Sequence, residues 1–304
     1  MLAFTVLIVA KGQKMQKAIE KAHALIEALE YIQKYAGKVI VIKFGGSVMD
    51  DPVAMKNILT DVVFMSSSGM MPVIVHGGGK AISKAMEERN LEVQFVQGRR
   101  YTDQRTLTVV EHVLCNEINA DIVKTLNSLG AKALPLHTLS SCVLFGEKLF
   151  LEEDGRKIDL GQVGKITRVG AEVIRSITSD HIIPAIAPLA IDHKGGKLNC
   201  NADTAAGEIA AELRAEKFVV ISDTHGIRKN VKDPNSMIPE ITQDEIRNLI
   251  ADGTITSGML PKVEACCRAL DGGVKRTHII DGNIEHALLL EIFSRKGVGT
   301  LIQK

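Results

Sequence analysis

A chain of 304 residues is long enough for one large domain or two lobes with sizeable cores. Its 37 Lys and Arg against 36 Asp and Glu leave a net charge of +1, which excludes the basic excess of a nucleic-acid binder but keeps small anionic ligands open. Aromatics at 4% without Trp argue against stacking platforms, and five cysteines lacking any C-x-x-C pair indicate neither a disulfide framework nor a zinc knuckle.

That cysteine usage fits a reducing, cytoplasmic setting. Met1 to Ala10, MLAFTVLIVA, is too short to cross a membrane and has no positive segment before it, so it reads as a short strand or arm. Met15 is a second candidate for the translation start. From Lys14 to Tyr35, apolar residues at Ala18, Ile19, Ala22, Leu25, Ile26, Leu29 and Ile32 form a helical stripe. Periodicity favours packing of this helix on its own domain, with burial against another subunit as the alternative.

Lys38 to Ser47, KVIVIKFGGS, reads as a buried strand ending on Gly45 and Gly46. Lys43 just before those glycines suits a polyanion such as a nucleotide phosphate, though a solvated lysine before an ordinary turn reads equally well. A helix over Met55 to Met65, a strand over Val73 to Val75, the loop His76-Gly77-Gly78-Gly79 and a helix over Ala81 to Arg89 repeat the unit of strand, glycine loop and helix. Such repetition predicts a parallel sheet whose ligands lie at the carboxyl ends of its strands. Lys80 does not complete a P-loop, since Ile74 and Ala81 stand where glycine and a hydroxyl residue are required.

Thr102 or Asp103 caps a long helix with the stripe Leu107, Val110, Leu114, Ile118, Ile122 and Leu126. An arginine just before the cap either forks onto a carboxylate or is solvated. Turns at Asp154-Gly155 and Gly195-Gly196 predict a hairpin region, and Ile182 to Leu189 a buried strand interrupted by Pro184 and Pro188. Asn199 is a turn residue or a ligand-binding one. Asp203 is either the N-cap of the helix Thr204 to Leu213 or a functional acid. Phe218 to Ile221 is a further strand. Ser257 to Lys262 opens a helix with Pro261 in its first turn, which sets Lys262 at the positive helix end, unfavourable for stability and thus a hint of function.

VIKFGGS, VIVHGGGK, the G-x-R-x-T-D segment, NCNADTAAGEIA, SDTHGI and SGMLPKVEA, in this order and spacing, resemble the amino-acid kinase family over about Tyr31 to Gln303. The resemblance implies an α/β fold, a three-layer αβα sandwich with a mainly parallel central sheet. It divides the chain into an N-terminal arm and oligomerisation helix (1–36), a lobe for the acetylated amino acid (37–190) and a lobe for ATP (191–304). The implied reaction moves the terminal phosphoryl group of ATP, with Mg²⁺ carried mainly by the nucleotide, to the side-chain carboxylate of N-acetyl-L-glutamate, a step of arginine biosynthesis. By position, Lys43 neutralises the transferring group and Lys262 the leaving side, while Asp203 orients both lysines. Gly45, Gly78 and Gly79 give backbone N–H groups, and Arg100 and Asn199 hold the α-carboxylate.

The N-terminal helix and the ending EHALLLEIFSRKGVGTLI further resemble the arginine-sensitive, hexameric branch, a trimer of dimers. That implies inter-subunit packing of the helix and an L-arginine inhibitor site at Tyr31, Lys217, Glu291 and Gly297 to Gly299. Glu291 is otherwise a solvated glutamate. Neither a metal cluster, a nucleic acid nor a membrane is expected as a partner. Arg99 and Tyr101 depart from the family's apolar residue and valine, and Leu136-His137-Thr138-Leu139-Ser140 replaces a glycine-rich loop. Arg99 and Tyr101 keep one alternative, a kinase for glutamate or aminoadipate attached to an acidic carrier protein; a non-catalytic arginine sensor that keeps the fold is a second. His137 and His225 carry no catalytic assignment.

Overall fold

The computed structural model describes residues 2–153, 155–230, 232–256, 258–294 and 297–304, with side chains from Met15 onward except those of Glu153 and Pro234. Met1, Asp154 and Ser257, named above, lie outside the described residues.

Helix α1 (Leu2–Tyr35) replaces the short strand or arm expected at the start of the chain. Its predicted stripe does not pack on its own domain: Ile19, Leu25, Ile26 and Leu29 are exposed, and burial begins only near Tyr31 and is complete at Tyr35. Strand β1 (Val39–Phe44), helix α2 (Pro52–Ser67), strand β2 (Met71–His76) and helix α3 (Gly79–Glu87) then form the two predicted glycine-loop units. Pro52 at the first helical turn and Asp51, which accepts from Val53 N at 2.8 Å, fix the start of α2.

After a small ribbon, β3 (Phe95–Val96) and β4 (Arg99–Arg100), the long helix runs as α4 (Gln104–Glu111), a π-helical segment (His112–Asn119) and α5 (Ala120–Ser128). Asp103, not Thr102, caps it, accepting from Thr106 N at 2.7 Å. Strand β5 (Lys132–Leu136), the hairpin β6 (Leu144–Glu153) and β7 (Arg156–Val169), helix α6 (Ala171–Ser179), and strands β8 (Ile182–Ile186), β9 (Leu189–Ile191) and β10 (Lys197–Asn199) follow. The single strand expected over Ile182 to Leu189 is thus two. Chain direction changes at Ala187-Pro188, so β8 enters the main sheet while β9 joins β6, β7 and β10 in a small closed barrel.

The remaining elements are α7 (Ala202–Leu213), β11 (Lys217–Ser222), β12 (Glu240–Thr242), α8 (Gln243–Ala251), α9 (Leu260–Asp271), β13 (Arg276–Asp281), α10 (Ala287–Ile292) and β14 (Thr300–Gln303). The eight-stranded main sheet has the order β12-β14-β13-β11-β1-β2-β8-β5, parallel throughout except where β13 meets β14. Alternation along β1 divides it between two cores. Val41 faces α7 and α9 with Ala206, Ile209 and Val263, whereas Ile40, Ile42 and Phe44 face α2 and α10 with Ile58, Val62 and Leu288. Helices on both faces make the expected three-layer sandwich. Its central strands β11, β1 and β2 all end on the same side, where the glycine loops lie.

Candidate active site

The ends of β1 and β2 are in register, Phe44 beside His76, so their two glycine loops meet. A Cβ on Gly77 would sit 3.4 Å from the Gly45 Cα, and one on Gly78 only 2.7 Å from Leu114 and 2.8 Å from Ile118. Glycine is therefore demanded at Gly78 by the helix packed on it. Gly46, at φ +68°, makes the turn that a side chain would strain. Together these loops floor a cavity of about 560 Å³ lined also by Lys43, Arg99, Arg100, Asn199 and Asp203.

Lys43 lies almost fully buried at that floor, its Nζ 2.8 Å from Asp203 Oδ1. Asp203 is free for this because Asn201 caps α7, accepting from Thr204 N at 2.9 Å. The capping alternative for Asp203 is thereby excluded. Arg100 is also buried, and burial holds its guanidinium below the ordinary arginine range. It donates to Gly79 O at 2.8 Å and Ser83 Oγ at 2.7 Å, lies 3.2 Å from Met86 Sδ, and stacks 4.8 Å above the Phe95 ring. All these partners are neutral. A buried cation on neutral acceptors alone favours an anion in the adjoining cavity. Asn199, the end of β10, donates to Thr102 Oγ1 at 3.1 Å and so lies across Thr102 from Arg100. Arg99 lines the cavity; Tyr101, more than a third exposed, is not among its lining residues.

A second cavity, about 310 Å³, lies beyond the end of β11 and is lined by Ser222, Asp223, Thr224, Gly226, Gly258, Met259 and Lys262 among others. Lys262 stands in the first turn of α9 as expected, but Asp203 does not hold it directly: its Nζ donates to Gly258 O at 2.7 Å. Burial lowers its proton affinity, the fields of Asp203 and Asp223 oppose that, and the charge of Lys43 adds to it. Of the two lysines, Lys43 is thus paired directly with Asp203, while Lys262 feels Asp203 only through its field and is propped on a backbone oxygen. Ser47 donates to Asp223 Oδ2, which ties the first glycine loop to the second cavity and holds Asp223 below the usual carboxylate range. Sequence reading gave Ser47 and Asp223 no role, although both sit inside the quoted motifs. Two cavities, each with a lysine in its lining and the two lysines within one another's fields, suit group transfer between two anionic ligands.

The remaining sequence candidates lie elsewhere, at the amino end of the same sheet. Glu291 is buried, not solvated. Its carboxylate accepts from Val298 N at 2.7 Å and Gly299 N at 3.1 Å, and its Oε1 is 2.6 Å from His278 Nδ1. Burial alone would raise Glu291, but these hydrogen bonds prevail and hold it low. Gly297, at φ +62°, passes so close that a Cβ would lie 2.7 Å from the carboxylate oxygens. Lys217 lies 5.2 Å above the Tyr35 ring within the field of Glu291, and burial pushes it down to about 8. Tyr31 meets Phe293 edge to face at 6.2 Å. Tyr31, Lys217, Glu291, Gly297 and Gly299 are therefore one neighbourhood, separate from both cavities. His137 and His225 fall in neither group: His137 accepts from Leu139 N at 3.2 Å, and His225 pairs with Asp281 at 2.7 Å.

Comparison with known proteins agrees with this geometry. Residues 38–281 match the model of the amino acid kinase family. The acetylglutamate kinase of Petrotoga mobilis is 46% identical over 97% of this chain and 97% of its own. Among solved structures, the N-acetylglutamate synthase of Neisseria gonorrhoeae, complexed with coenzyme A and N-acetyl-glutamate, superposes with a TM-score of 0.82 at 22% identity, covering 93% of this chain and 63% of that longer one. Its complex with coenzyme A and L-arginine gives 0.78 at 21% identity, covering 93% and 65%. At that identity the structural likeness speaks for the fold.

Proposed function

The chain belongs to the amino acid kinase family, and from that premise we propose that it phosphorylates the side-chain carboxylate of N-acetyl-L-glutamate at the expense of ATP. The observation that carries this reading is Arg100, a buried guanidinium with only neutral partners beside Lys43 in the larger cavity. Arg100 and Asn199 hold the α-carboxylate there, leaving the side-chain carboxylate to reach Lys43. ATP occupies the smaller cavity with its phosphates towards Lys262. Lys43 meets the charge that builds on the transferring phosphoryl group, Lys262 meets that on departing ADP, and Asp203 fixes Lys43 while drawing Lys262 by its field. Backbone N–H groups of Gly45, Gly78 and Gly79 complete the cradle. The lobes follow the segments 37–190 and 191–304, with Asn199 and Asp203 reaching back across the boundary.

Mg²⁺ rides mainly on the nucleotide phosphates. Two of the carboxylates bordering the cavities fit that division, since Asp203 is paired with Lys43 and Asp223 accepts from Ser47; the third, Glu87, stands alone at the end of α3 among the described residues.

Two further elements of the reading concern regulation and assembly. L-arginine binds at the neighbourhood of Glu291 and Lys217 and inhibits turnover. Three partners already approach the Glu291 carboxylate, which leaves room for one more donor. The exposed stripe of α1 is covered by another subunit in a hexamer built as a trimer of dimers. Light scattering tests the assembly: a monodisperse dimer contradicts it.

The activity is tested by ADP release from ATP and Mg²⁺ on addition of N-acetyl-L-glutamate, with free glutamate in parallel. Release with the acetylated substrate, much weaker with glutamate, is expected; no release with either overturns the reading. L-arginine added to the same reaction should suppress it.

A further inference from the structure

In the motif His76-Gly77-Gly78-Gly79 the glycines line the larger cavity, whereas His76 is fully buried behind them at the end of β2. Its Nδ1 lies 2.9 Å from Gly77 O, and its Nε2 lies 2.9 Å from Asn119 Nδ2. The same Asn119 nitrogen is 2.9 Å from Ala185 O. A carbonyl only accepts, so the amide nitrogen, not its oxygen, must face Ala185, and with it His76 Nε2. Nε2 therefore accepts, and the ring proton sits on Nδ1, donated to Gly77 O. Burial pushes His76 down to about 4, so the ring stays neutral at physiological pH.

This has a directional consequence. In a trans peptide the C=O and the following N–H point opposite ways. With the Gly77 carbonyl held against the imidazole, the Gly78 N–H is turned away from it. No side chain caps α3, which begins at the next residue.

We infer that His76 is a positioning residue: a neutral imidazole of fixed tautomer that locks the Gly77-Gly78 peptide, so that the Gly78 N–H is presented to the phosphoryl group in flight. The inference rests on the kinase reading and deepens it. The π-helical segment His112–Asn119 supports the lock from two sides. It delivers Asn119 to the imidazole, and it presses Leu114 and Ile118 onto the Gly78 Cα, which fixes one end of that peptide. The Oδ1 of Asn119 is buried without a partner, a cost consistent with an amide placed for its nitrogen.

Two amide replacements separate the two ring nitrogens. His76→Asn sets an N–H near the position of Nδ1 and keeps the bond to Gly77 O; His76→Gln sets it near Nε2 and loses that bond. His76→Asn should keep kcat within about threefold of wild type, whereas His76→Gln should lower kcat roughly 10²-fold, with KM for N-acetyl-L-glutamate within about threefold. Equal loss in both variants, or full turnover in His76→Gln, overturns the inference. A second measurement uses the unaltered protein. ¹⁵N NMR of histidine-labelled enzyme should show His76 protonated on Nδ1 and bare on Nε2 from about pH 5.5 to 8. The opposite tautomer, or an imidazolium, overturns the inference even if the variants do not fold. An enzyme with the expected tautomer that leaves N-acetyl-L-glutamate untouched would sink the kinase reading instead.

Discussion

Strand β11 has charged groups at both ends, and they are treated in opposite ways. At its carboxyl end, Lys43, Lys262 and Arg100 line cavities, and only Lys43 has a direct carboxylate partner among the described residues. At its amino end, Glu291 is closed in by His278 and two backbone N–H groups, and Lys217 is buried against Tyr35. Three cations beside open space with one direct carboxylate partner among them suit an incoming anion. A carboxylate with three partners and one acceptor position left suits a ligand that adds a single donor, which is a regulatory property more than a catalytic one.

The largest expected effects lie at the carboxyl end. Lys43→Ala or Lys262→Ala should each lower kcat by roughly 10²–10³-fold. A variant near wild-type turnover at saturating substrates would remove that lysine from the mechanism. Their stability effects should differ, because Lys43→Ala leaves Asp203 buried and unpaired while Lys262→Ala removes only a bond to Gly258 O. Chemical denaturation should therefore show a clear loss, on the order of 3 kcal/mol, for Lys43→Ala and little for Lys262→Ala.

Arg100→Ala should raise KM for the acetylated substrate by roughly 10- to 10²-fold with kcat largely kept, the signature of a uniform binding contact. A change confined to kcat would place Arg100 at the reacting centre. At the amino end, Glu291→Gln should leave basal turnover intact and raise the arginine concentration for half-inhibition by roughly tenfold or more. Unchanged inhibition would move the arginine site elsewhere.

The last effect is a pH dependence of stability, with no consequence expected for turnover. Lys217 is depressed from 10.5 to about 8 by burial, so between these values the unfolded chain holds a proton that the folded one has released. Stability must then rise with pH across that window, by at most about 1.4 kcal/mol per pH unit from this group. Relative to Lys217→Met, the wild type should gain stability from pH 8 to 10.5. Parallel curves would mean that Lys217 is not depressed.

Much of the carboxyl end was legible in the sequence, because glycine pairs after β-rich runs leave a local mark. The doubly repeated unit gave the parallel sheet, and Pro261 gave the position of Lys262. What was illegible depends on distant partners. Asp203 could be a cap or a functional acid until Asn201 proved to fill the capping role, and the burial of Arg100 is made by Gly79, Ser83 and Met86 on another element. The sequence left Glu291 open between an arginine-binding and a solvated glutamate for the same reason, since its partners come from β13 and from the turn before β14. Ile182 to Leu189 read as one strand because its apolar run continues past Pro188, though the two halves belong to different sheets. The helical stripe of α1 was correctly periodic, but period alone does not say whether the fold buries it, and Ile19, Leu25, Ile26 and Leu29 are exposed.

The central claim is that phosphate is transferred to a carboxylate held in the larger cavity. The most direct test adds hydroxylamine to enzyme, ATP, Mg²⁺ and N-acetyl-L-glutamate, because an acyl phosphate reacts with it to give a hydroxamate. Equal amounts of ADP and hydroxamate are expected, both lost in Lys43→Ala. ADP formed without hydroxamate, or no ADP at all, would contradict the account.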